Sequence, residues 1–205
     1  MKINGSWLTA PGAQKVISLL VNAGHETYFV GGCVRNDLLG YEVKDIDIAS
    51  ASSPETTVSL AKNAGIAFVP TGIEHGTVTL IVEGQSFEIT TFRKDVATDG
   101  RHAEIAFSYD LKEDARRRDF TMNALYATAD GKVIDPLDGL DDLRAQRIRF
   151  INDAGQRIRE DYLRILRFFR FSAWYGNKHM EFDAEALSAI TENLAGLERL
   201  SKERI

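Results

Sequence analysis

Cysteine occurs once, at Cys33, in a chain of 205 residues, which rules out an internal disulfide and fits a reducing compartment such as the cytosol. No apolar run approaches the roughly 20 residues needed to span a bilayer. The N-terminal MKINGSWLTAPG lacks the basic-then-apolar pattern of a signal peptide. A surplus of positive charge is also missing, since the formal net charge is -5, unlike proteins that bind nucleic acid over their whole surface. The sequence therefore predicts a soluble cytoplasmic protein without a membrane contact.

The composition is otherwise ordinary for a globular protein, with 44% hydrophobic and 27% charged residues. The length suits one good-sized domain with an appendage, or two small domains. The charge is uneven, because the segment Arg144–Arg170 holds eight arginines against three acids. This segment is either a solvated helix face or a track for polyphosphate or an RNA backbone.

Two aspartates of the segment KDIDIAS, Asp45 and Asp47, alternate with apolar residues, as in a half-buried strand. Both side chains then point to the same face, roughly 7 Å apart. Carboxylates so close repel each other and raise each other's pKa unless a cation lies between them. Oxygen ligands favour Mg²⁺, which takes further ligands from substrate phosphates. On its own, however, such a pair on a strand end is more often structural than metal-binding.

A glycine pair, Gly31-Gly32, stands between the apolar run 28–30 and a short predicted helix. Glycines let the backbone approach a triphosphate and expose its N–H groups, although such a pair alone is usually a turn. Arg35 on the following turn could add a charged hydrogen bond. Strand, glycine turn, helix and Asp-x-Asp strand together are the parts of a two-metal phosphoryl-transfer site.

These segments, GGCVRNDLLG and KDIDIAS, resemble motif A of the class II nucleotidyltransferases in the polymerase-beta superfamily. That group contains tRNA CCA-adding enzymes and bacterial poly(A) polymerases. One position departs from the pattern, because Asn36 stands where the family usually has aspartate. Asp37 is adjacent but faces elsewhere on a helix.

A third acid, Glu88, lies in the second strand of a predicted hairpin formed by residues 77–82 and 86–91. An isolated glutamate in a strand is usually solvated, but a third carboxylate beside the aspartates would complete a ligand set. The resemblance assigns this role to Glu88. Residues 93–107 are predicted to be a long loop. The resemblance implies that this loop is flexible and helps to shape the nucleotide pocket.

A second match covers RRDFTMNAL within a predicted amphipathic helix from Arg116 to Ala129. Arginines at a helix start oppose its dipole, so Arg117 and Arg118 point to a bound anion such as a triphosphate. Asp119 and Asn123 are one turn apart and can share a ligand such as a ribose hydroxyl. The segment resembles motif B of the same family.

A third match is EDYLR, within one predicted helix over residues 156–175. Asp161 and Arg164 would lie side by side, either as an ion pair or as a reader of the base edge. A carboxylate only accepts and a guanidinium only donates hydrogen bonds, so the pair complements cytosine and adenine but not guanine or uracil. The resemblance is to motif D, whose Asp and Arg act as a template for the incoming base. Arg167 is also assigned to nucleotide binding.

The resemblance implies an α+β fold, with a polymerase-beta-like head of about five strands and flanking helices over residues 1–137. An all-α neck follows over 138–205, and body and tail domains come after it in the family, so we expect head and neck only. The implied activity is addition of CCA to the 3′ end of tRNA from CTP and ATP with two Mg²⁺ ions.

Several alternatives remain. A bacterial poly(A) polymerase typically carries an Arg-Phe-Arg-like motif where this chain has VPTGIEHGTVTL. An A-adding enzyme with a separate CC-adding partner would share every motif. A non-catalytic nucleotide sensor or RNA-binding module would be expected to lack one of the three acids. Whether the chain forms a homo-oligomer stays open.

Overall fold

The computed structural model of the chain describes residues 1–70, 72–98, 103–179 and 181–204, and only the backbone of 95–98 and 103–105. Within these ranges the strands are β1 Thr27–Val30, β2 Asp47–Ser50, β3 Ala67–Val69, β4 Thr77–Val82, β5 Gln85–Thr91, β6 Arg93–Thr98, β7 Ala103–Phe107, β8 Tyr126–Ala127 and β9 Val133–Ile134. The α-helices are α1 Pro11–Asn22, α2 Gly32–Leu39, α3 Pro54–Asn63, α4 Leu111–Arg116, α5 Gly139–Ala145, α6 Ala154–Glu160, α7 Leu163–Tyr175 and α8 Ala184–Glu192. Single 3₁₀ turns include Thr121–Asn123 and Lys202–Arg204.

A mixed sheet organises the N-terminal part of the chain, which confirms the predicted α+β class. In the described residues its order is β3-β4-β5-β2-β1-β8-β9, and only β2 and β5 run parallel among these pairs. The sheet has seven strands against about five predicted. The strand that the sequence did not predict is β8, a two-residue strand inside the segment predicted to be a helix. The parallel pair sets Asp47 beside Glu88 in register.

The core lies between this sheet and its helices. Helix α1 begins at Pro11, which suits a first helical position, and buries Val16, Ile17 and Leu20 completely. Truncating one of these, such as Leu20→Ala, should cost about 2–5 kcal/mol through lost transfer energy and a cavity. The same core cluster includes Phe120, Phe150 and Phe168, so it runs across the predicted boundary at residue 137.

The helix predicted from Arg116 to Ala129 is wrong. Helix α4 ends at Arg116, and a 3₁₀ turn and strand β8 follow. The backbone around Asp119 pairs with a distant segment instead of with itself: Thr121 N donates to Arg149 O at 3.1 Å, and Ile151 N donates to Asp119 O at 3.0 Å. These tertiary hydrogen bonds replace the intrahelical ones and override a periodicity that looked helical.

The single helix predicted over residues 156–175 is also wrong in its middle. It is two helices, α6 and α7, separated at Asp161, which is extended at φ -155 and ψ 107. The Asp161 carboxylate accepts a hydrogen bond from Leu163 N at 3.1 Å. Aspartate commonly competes with helical hydrogen bonding in this way, and here it starts a new helix.

The predicted loop over residues 93–107 contains an antiparallel ribbon. Strands β6 and β7 pair from Arg93 opposite Phe107 to Thr98 opposite Ala103. The loop prediction failed because the pairing is made by backbone groups in a segment with little side-chain periodicity. The residues 99–102, on which the expected loop flexibility rests, lie outside the described residues.

The C-terminal part, from α5 onward, is helical in the described residues. Its division from the preceding part as a separate neck domain stays a prediction. None of the helices within the described ranges is both long and apolar enough to cross a membrane.

Candidate active site

Three carboxylates at the start of β2 and on the neighbouring central strand β5, Asp45, Asp47 and Glu88, line a pocket of about 350 Å³ together with Thr79 and Ser86. The aspartates are exposed, whereas Ile46 and Ile48 are buried. The two acids therefore share one face, as their spacing predicted.

The surroundings of Asp47 disfavour its charged form. Asp47 is exposed as a residue, but the protein around its carboxyl keeps water from part of it. This loss of hydration, together with the charges of Glu88 and Asp45, raises the pKa of Asp47 to about 6, although Arg118 acts in the opposite sense. Such an excess of negative charge and oxygen donors fits Mg²⁺ chemically. Across the described residues, however, no group of three or more His, Cys, Asp or Glu side chains is arranged to hold a metal ion, so the metal site stays a prediction.

The glycine turn brings the start of α2 beside these acids. Gly31 has φ 69 and ψ -115, a conformation that is essentially open to glycine alone. A Cβ on Gly31 would lie 3.6 Å from Arg118 Nη1 and 3.6 Å from Asn123 O. The missing side chain therefore leaves space between the helix start and the arginine.

Arg117 and Arg118 are held by a buried acid, Asp114. Its carboxylate accepts from Arg117 Nε at 3.1 Å, from Arg118 Nη2 at 2.9 Å and from the Tyr126 hydroxyl at 2.8 Å. Burial alone would raise the pKa of Asp114, but Arg118, Arg117 and the hydrogen bonds hold it well below its usual range. The same contacts raise the pKa of Arg118 against the opposing effect of burial.

Asp119 and Asn123 are joined by a direct side-chain hydrogen bond, which Asn123 Nδ2 donates to Asp119 Oδ1 at 2.9 Å. Arg167 of α7 donates to Asp119 Oδ2 through Nε at 2.7 Å. Burial disfavours the charged form of Asp119, yet Arg167 and the hydrogen bonds outweigh it and lower the pKa. Arg35 is buried and donates to Asn123 Oδ1 at 2.5 Å.

Asp161 and Arg164 are brought to the same cleft but are not paired with each other as a helical i,i+3 pair. The Asp161 carboxylate accepts from Arg204 Nη2 at 3.0 Å. Arg164 Nη1 donates to Glu160 Oε2 at 2.7 Å, and Arg164 Nη2 donates to Arg117 O at 3.1 Å. Asp161 lies in the break between α6 and α7, so the single helix predicted to carry both residues is wrong. Arg164 N nevertheless donates to Asp161 O at 3.0 Å, which keeps the two residues one turn apart.

One cleft of about 470 Å³ collects most of the residues expected in the site. Its lining includes Gly31, Gly32, Arg35, Asp47, Arg117, Arg118, Asp119, Asn123, Asp161, Arg164 and Arg167. Asp47 also lines the carboxylate pocket, so it joins the two. The cleft thus extends from Asp47 at the start of β2 to the start of α7.

Residues 27–149 match the family described as the Poly A polymerase head domain. The chain belongs to this family. It is 43% identical over 199 residues to the human protein named CCA tRNA nucleotidyltransferase 1, mitochondrial, covering 97% of this chain and 46% of that protein. The chain therefore spans less than half the length of this relative.

Solved structures resemble this Poly A polymerase head-domain chain closely. The CCA-adding enzyme of Bacillus stearothermophilus in complex with CTP is 36% identical, with a TM-score of 0.82 over 94% of this chain and 45% of that one. A tRNA nucleotidyltransferase complexed with a primer tRNA and an incoming ATP analog is 31% identical, with a TM-score of 0.72 over 92% of this chain and 53% of that one.

Three contributors to the head-domain cleft were missed from the sequence: Asp114, Tyr126 and Tyr175. Asp114 could have been found from its spacing, because it stands three and four residues before two arginines. The two tyrosines carry no such signal, because Tyr126 bonds to residues 8 and 12 positions away, outside one helical turn, and Tyr175 bonds to Arg35, 140 positions away.

Proposed function

We propose that this chain carries the nucleotide-adding site of a tRNA CCA nucleotidyltransferase, which extends the 3′ end of tRNA from CTP and ATP. The observation that carries the proposal is the single cleft lined by Asp47, Arg118, Asp161 and Arg164. It supports a nucleotide that meets the acids with its phosphates and α7 with its base. The human relative's name and the CTP complex of the bacterial one support this choice.

Base selection in this proposal depends on the donors and acceptors left on Asp161 and Arg164. A guanidinium has five N–H groups and a carboxylate about four acceptor positions. The Arg164 bonds to Glu160, Arg157 O and Arg117 O use both Nη1 hydrogens and one on Nη2. Nε–H and one Nη2–H are left for the ring nitrogen of cytosine or adenine, while Asp161 accepts from the exocyclic amine. Guanine and uracil would leave buried polar groups unpaired, which disfavours them.

Phosphate binding is assigned to Arg117, Arg118 and the backbone N–H groups at the Gly31-Gly32 turn. The arginines neutralise charge on the triphosphate, and their orientation by Asp114 means that little reorganisation is needed on binding. Asp45, Asp47 and Glu88 would hold Mg²⁺, which when bound activates the attacking hydroxyl and stabilises charge on the phosphates. Asp119 and Asn123 would bind the ribose hydroxyls.

The first experiment is calorimetric titration of CTP into the chain with and without Mg²⁺. We expect Mg²⁺-dependent binding that Asp47→Ala and Asp161→Ala each weaken at least tenfold, the loss of about 1.4 kcal/mol of binding free energy. Asp141→Ala removes an exposed acid outside the cleft and is the control. Binding of CTP by Asp161→Ala as tightly as by the parent would contradict its assigned role.

The second experiment gives the full-length protein tRNA lacking CCA and each labelled nucleoside triphosphate in turn. Incorporation of CTP and then ATP supports the proposal. Incorporation of ATP alone onto tRNA ending in CC would indicate an A-adding enzyme, and repeated addition of ATP would indicate a poly(A) polymerase. We also propose a cytoplasmic location from the single cysteine, whereas the human relative is named as mitochondrial.

A further inference from the structure

One face of helix α7 carries three residues at successive turns, Arg167, Phe171 and Tyr175, of which Arg167 and Phe171 line the nucleotide cleft. Their spacing of four and eight residues puts them on one stripe. The Arg35 guanidinium carbon of α2 lies 5.2 Å from the Phe171 ring centroid and 4.1 Å from the Tyr175 ring centroid. A guanidinium at such distances is attracted by the aromatic faces.

Tyr175 also accepts a hydrogen bond, from Arg35 Nη2 at 2.8 Å. Arg35 Nη1 in turn donates to Asn123 Oδ1, and Asn123 Nδ2 donates to Asp119 Oδ1. Arg167, on α7 like Tyr175, donates to the other carboxylate oxygen of Asp119, Oδ2. These five side chains form a closed ring of contacts that begins and ends on the same helix.

The ring fixes the orientation of the Asn123 amide. Arginine can only donate and an ionised aspartate can only accept, so the amide oxygen must face Arg35 and the amide nitrogen Asp119. An amide nitrogen carries two hydrogens, and one of them is sufficient for the bond to Asp119. The other is then held in a defined direction at a residue that lines the cleft.

We propose that Tyr175 is a positioning residue for sugar recognition, acting through Arg35 on the Asn123–Asp119 pair. Its hydroxyl and ring hold Arg35 in the direction that orients Asn123. Because Tyr175 and Arg164 belong to one helix, the sugar-binding pair is also kept in register with the base-reading end of α7. This inference rests on the proposed function, since it assigns Asp119 and Asn123 to the ribose.

The test compares CTP with 2′-deoxy-CTP in the presence of Mg²⁺. Tyr175→Phe removes only the hydroxyl and keeps the packed ring. We expect it to weaken CTP binding about tenfold, the range expected for a hydrogen bond to a charged group, and to change deoxy-CTP binding less than threefold. The preference for the ribose should therefore fall. Tyr41→Phe is the matched control, because it removes a hydroxyl from a half-exposed ring 6.0 Å from that of Tyr175.

A second measurement needs no nucleotide. The side-chain amide resonances of Asn123 should shift in Tyr175→Phe and stay in place in Tyr41→Phe. Unchanged resonances together with an unchanged CTP to deoxy-CTP ratio would overturn the inference. A parent protein that does not bind CTP would refute the proposed function instead, while the resonances would still decide whether Tyr175 orients Asn123.

Discussion

Replacing Asp114 with asparagine isolates the negative charge that holds the two arginines of the cleft. The side chain of Asp114 is completely buried, and those of Arg117 and Arg118 are each only 18% exposed. Asparagine has nearly the same shape, but its amide group turns N–H donors toward guanidinium donors. The substitution therefore leaves two cations close together with one weak acceptor.

The expected loss follows from this burial. Removing one partner of a buried ion pair lowers the free energy of unfolding by about 3–5 kcal/mol. Because the arginines keep some contact with water, we expect a loss of about 3 kcal/mol, at the lower end of this range. For a chain of this length that corresponds to a fall in Tm of about 6–12 °C. Asp141→Asn breaks an ion pair with Arg144 at the surface, where the Arg144 side chain is 58% exposed and the Asp141 side chain 83% exposed. This substitution should lower the free energy of unfolding by less than about 1 kcal/mol.

The loss should also depend on pH. The folded-state pKa of Asp114 lies below its ordinary value because of Arg118 and Arg117, which outweigh burial. A carboxyl with a lowered pKa stabilises the folded state above its unfolded pKa of about 3.9, and this contribution disappears as pH falls toward the folded value. The difference in the free energy of unfolding between the parent and Asp114→Asn should therefore be largest at neutral pH and decrease below about pH 4.

Urea unfolding midpoints of the parent, Asp114→Asn and Asp141→Asn at a series of pH values measure both effects. The reasoning would be refuted if the two variants lost equal stability at neutral pH. It would also be refuted if the gap for Asp114→Asn stayed constant into the acid range.

Three further predictions concern the same cleft. The pKa of Asp47 is raised to about 6, above its unfolded value, so its contribution to stability falls as pH rises through this window. In EDTA, the Tm of Asp47→Asn should be higher than that of the parent at neutral pH and equal to it below about pH 4. Mg²⁺-dependent CTP binding by the parent should weaken below about pH 6, where Asp47 becomes protonated. Gly31→Ala should lower the free energy of unfolding by about 1–3 kcal/mol and weaken CTP binding, while Gly40→Ala, at φ 72 with nothing within 4 Å of its Cβ, should leave the dissociation constant unchanged. Arg167→Lys keeps the charge but loses the planar guanidinium that binds Asp119, so CTP binding should weaken several-fold. Arg170 is exposed, and Arg170→Lys should leave the dissociation constant for CTP unchanged.

Local patterns predicted the parts of the fold that depend on local physics. A strand over Thr27–Val30 and a helix that begins at Pro11 and ends before Gly24 are predicted from residue type and spacing, and both are confirmed. Ser53 caps α3, since its Oγ accepts from Thr56 N at 3.2 Å. The turn at Glu83-Gly84 joins β4 and β5 with φ 53 and 77, as the hairpin signal required.

The errors occur where partners distant in sequence decide the backbone. Residues 116–129 have helical periodicity, but the hydrogen bonds to Arg149 and Ile151 favour an irregular chain. Periodicity is a property of a short window, and it carries no information about a contact such as Arg35 to Tyr175, which are 140 residues apart. Motif resemblance identified which residues belong to the cleft, but not which acids hold its arginines.

Most basic side chains that line the cleft are oriented by an acid of the same chain, whereas Arg35 is held by Asn123 and Tyr175. This explains how an acidic protein can offer a polyphosphate site. Asp114 holds Arg118, Asp119 holds Arg167, and Glu160 holds Arg164. An arginine side chain loses about 2 kcal/mol of rotamer entropy when it is fixed, and folding has already fixed these three. The acids reduce the net positive charge of the cleft, so nucleotide binding should depend on fixed hydrogen-bond geometry more than on long-range attraction. Raising the salt concentration should then weaken CTP binding less than Arg167→Lys does, because screening acts on the long-range field while the lysine changes the geometry.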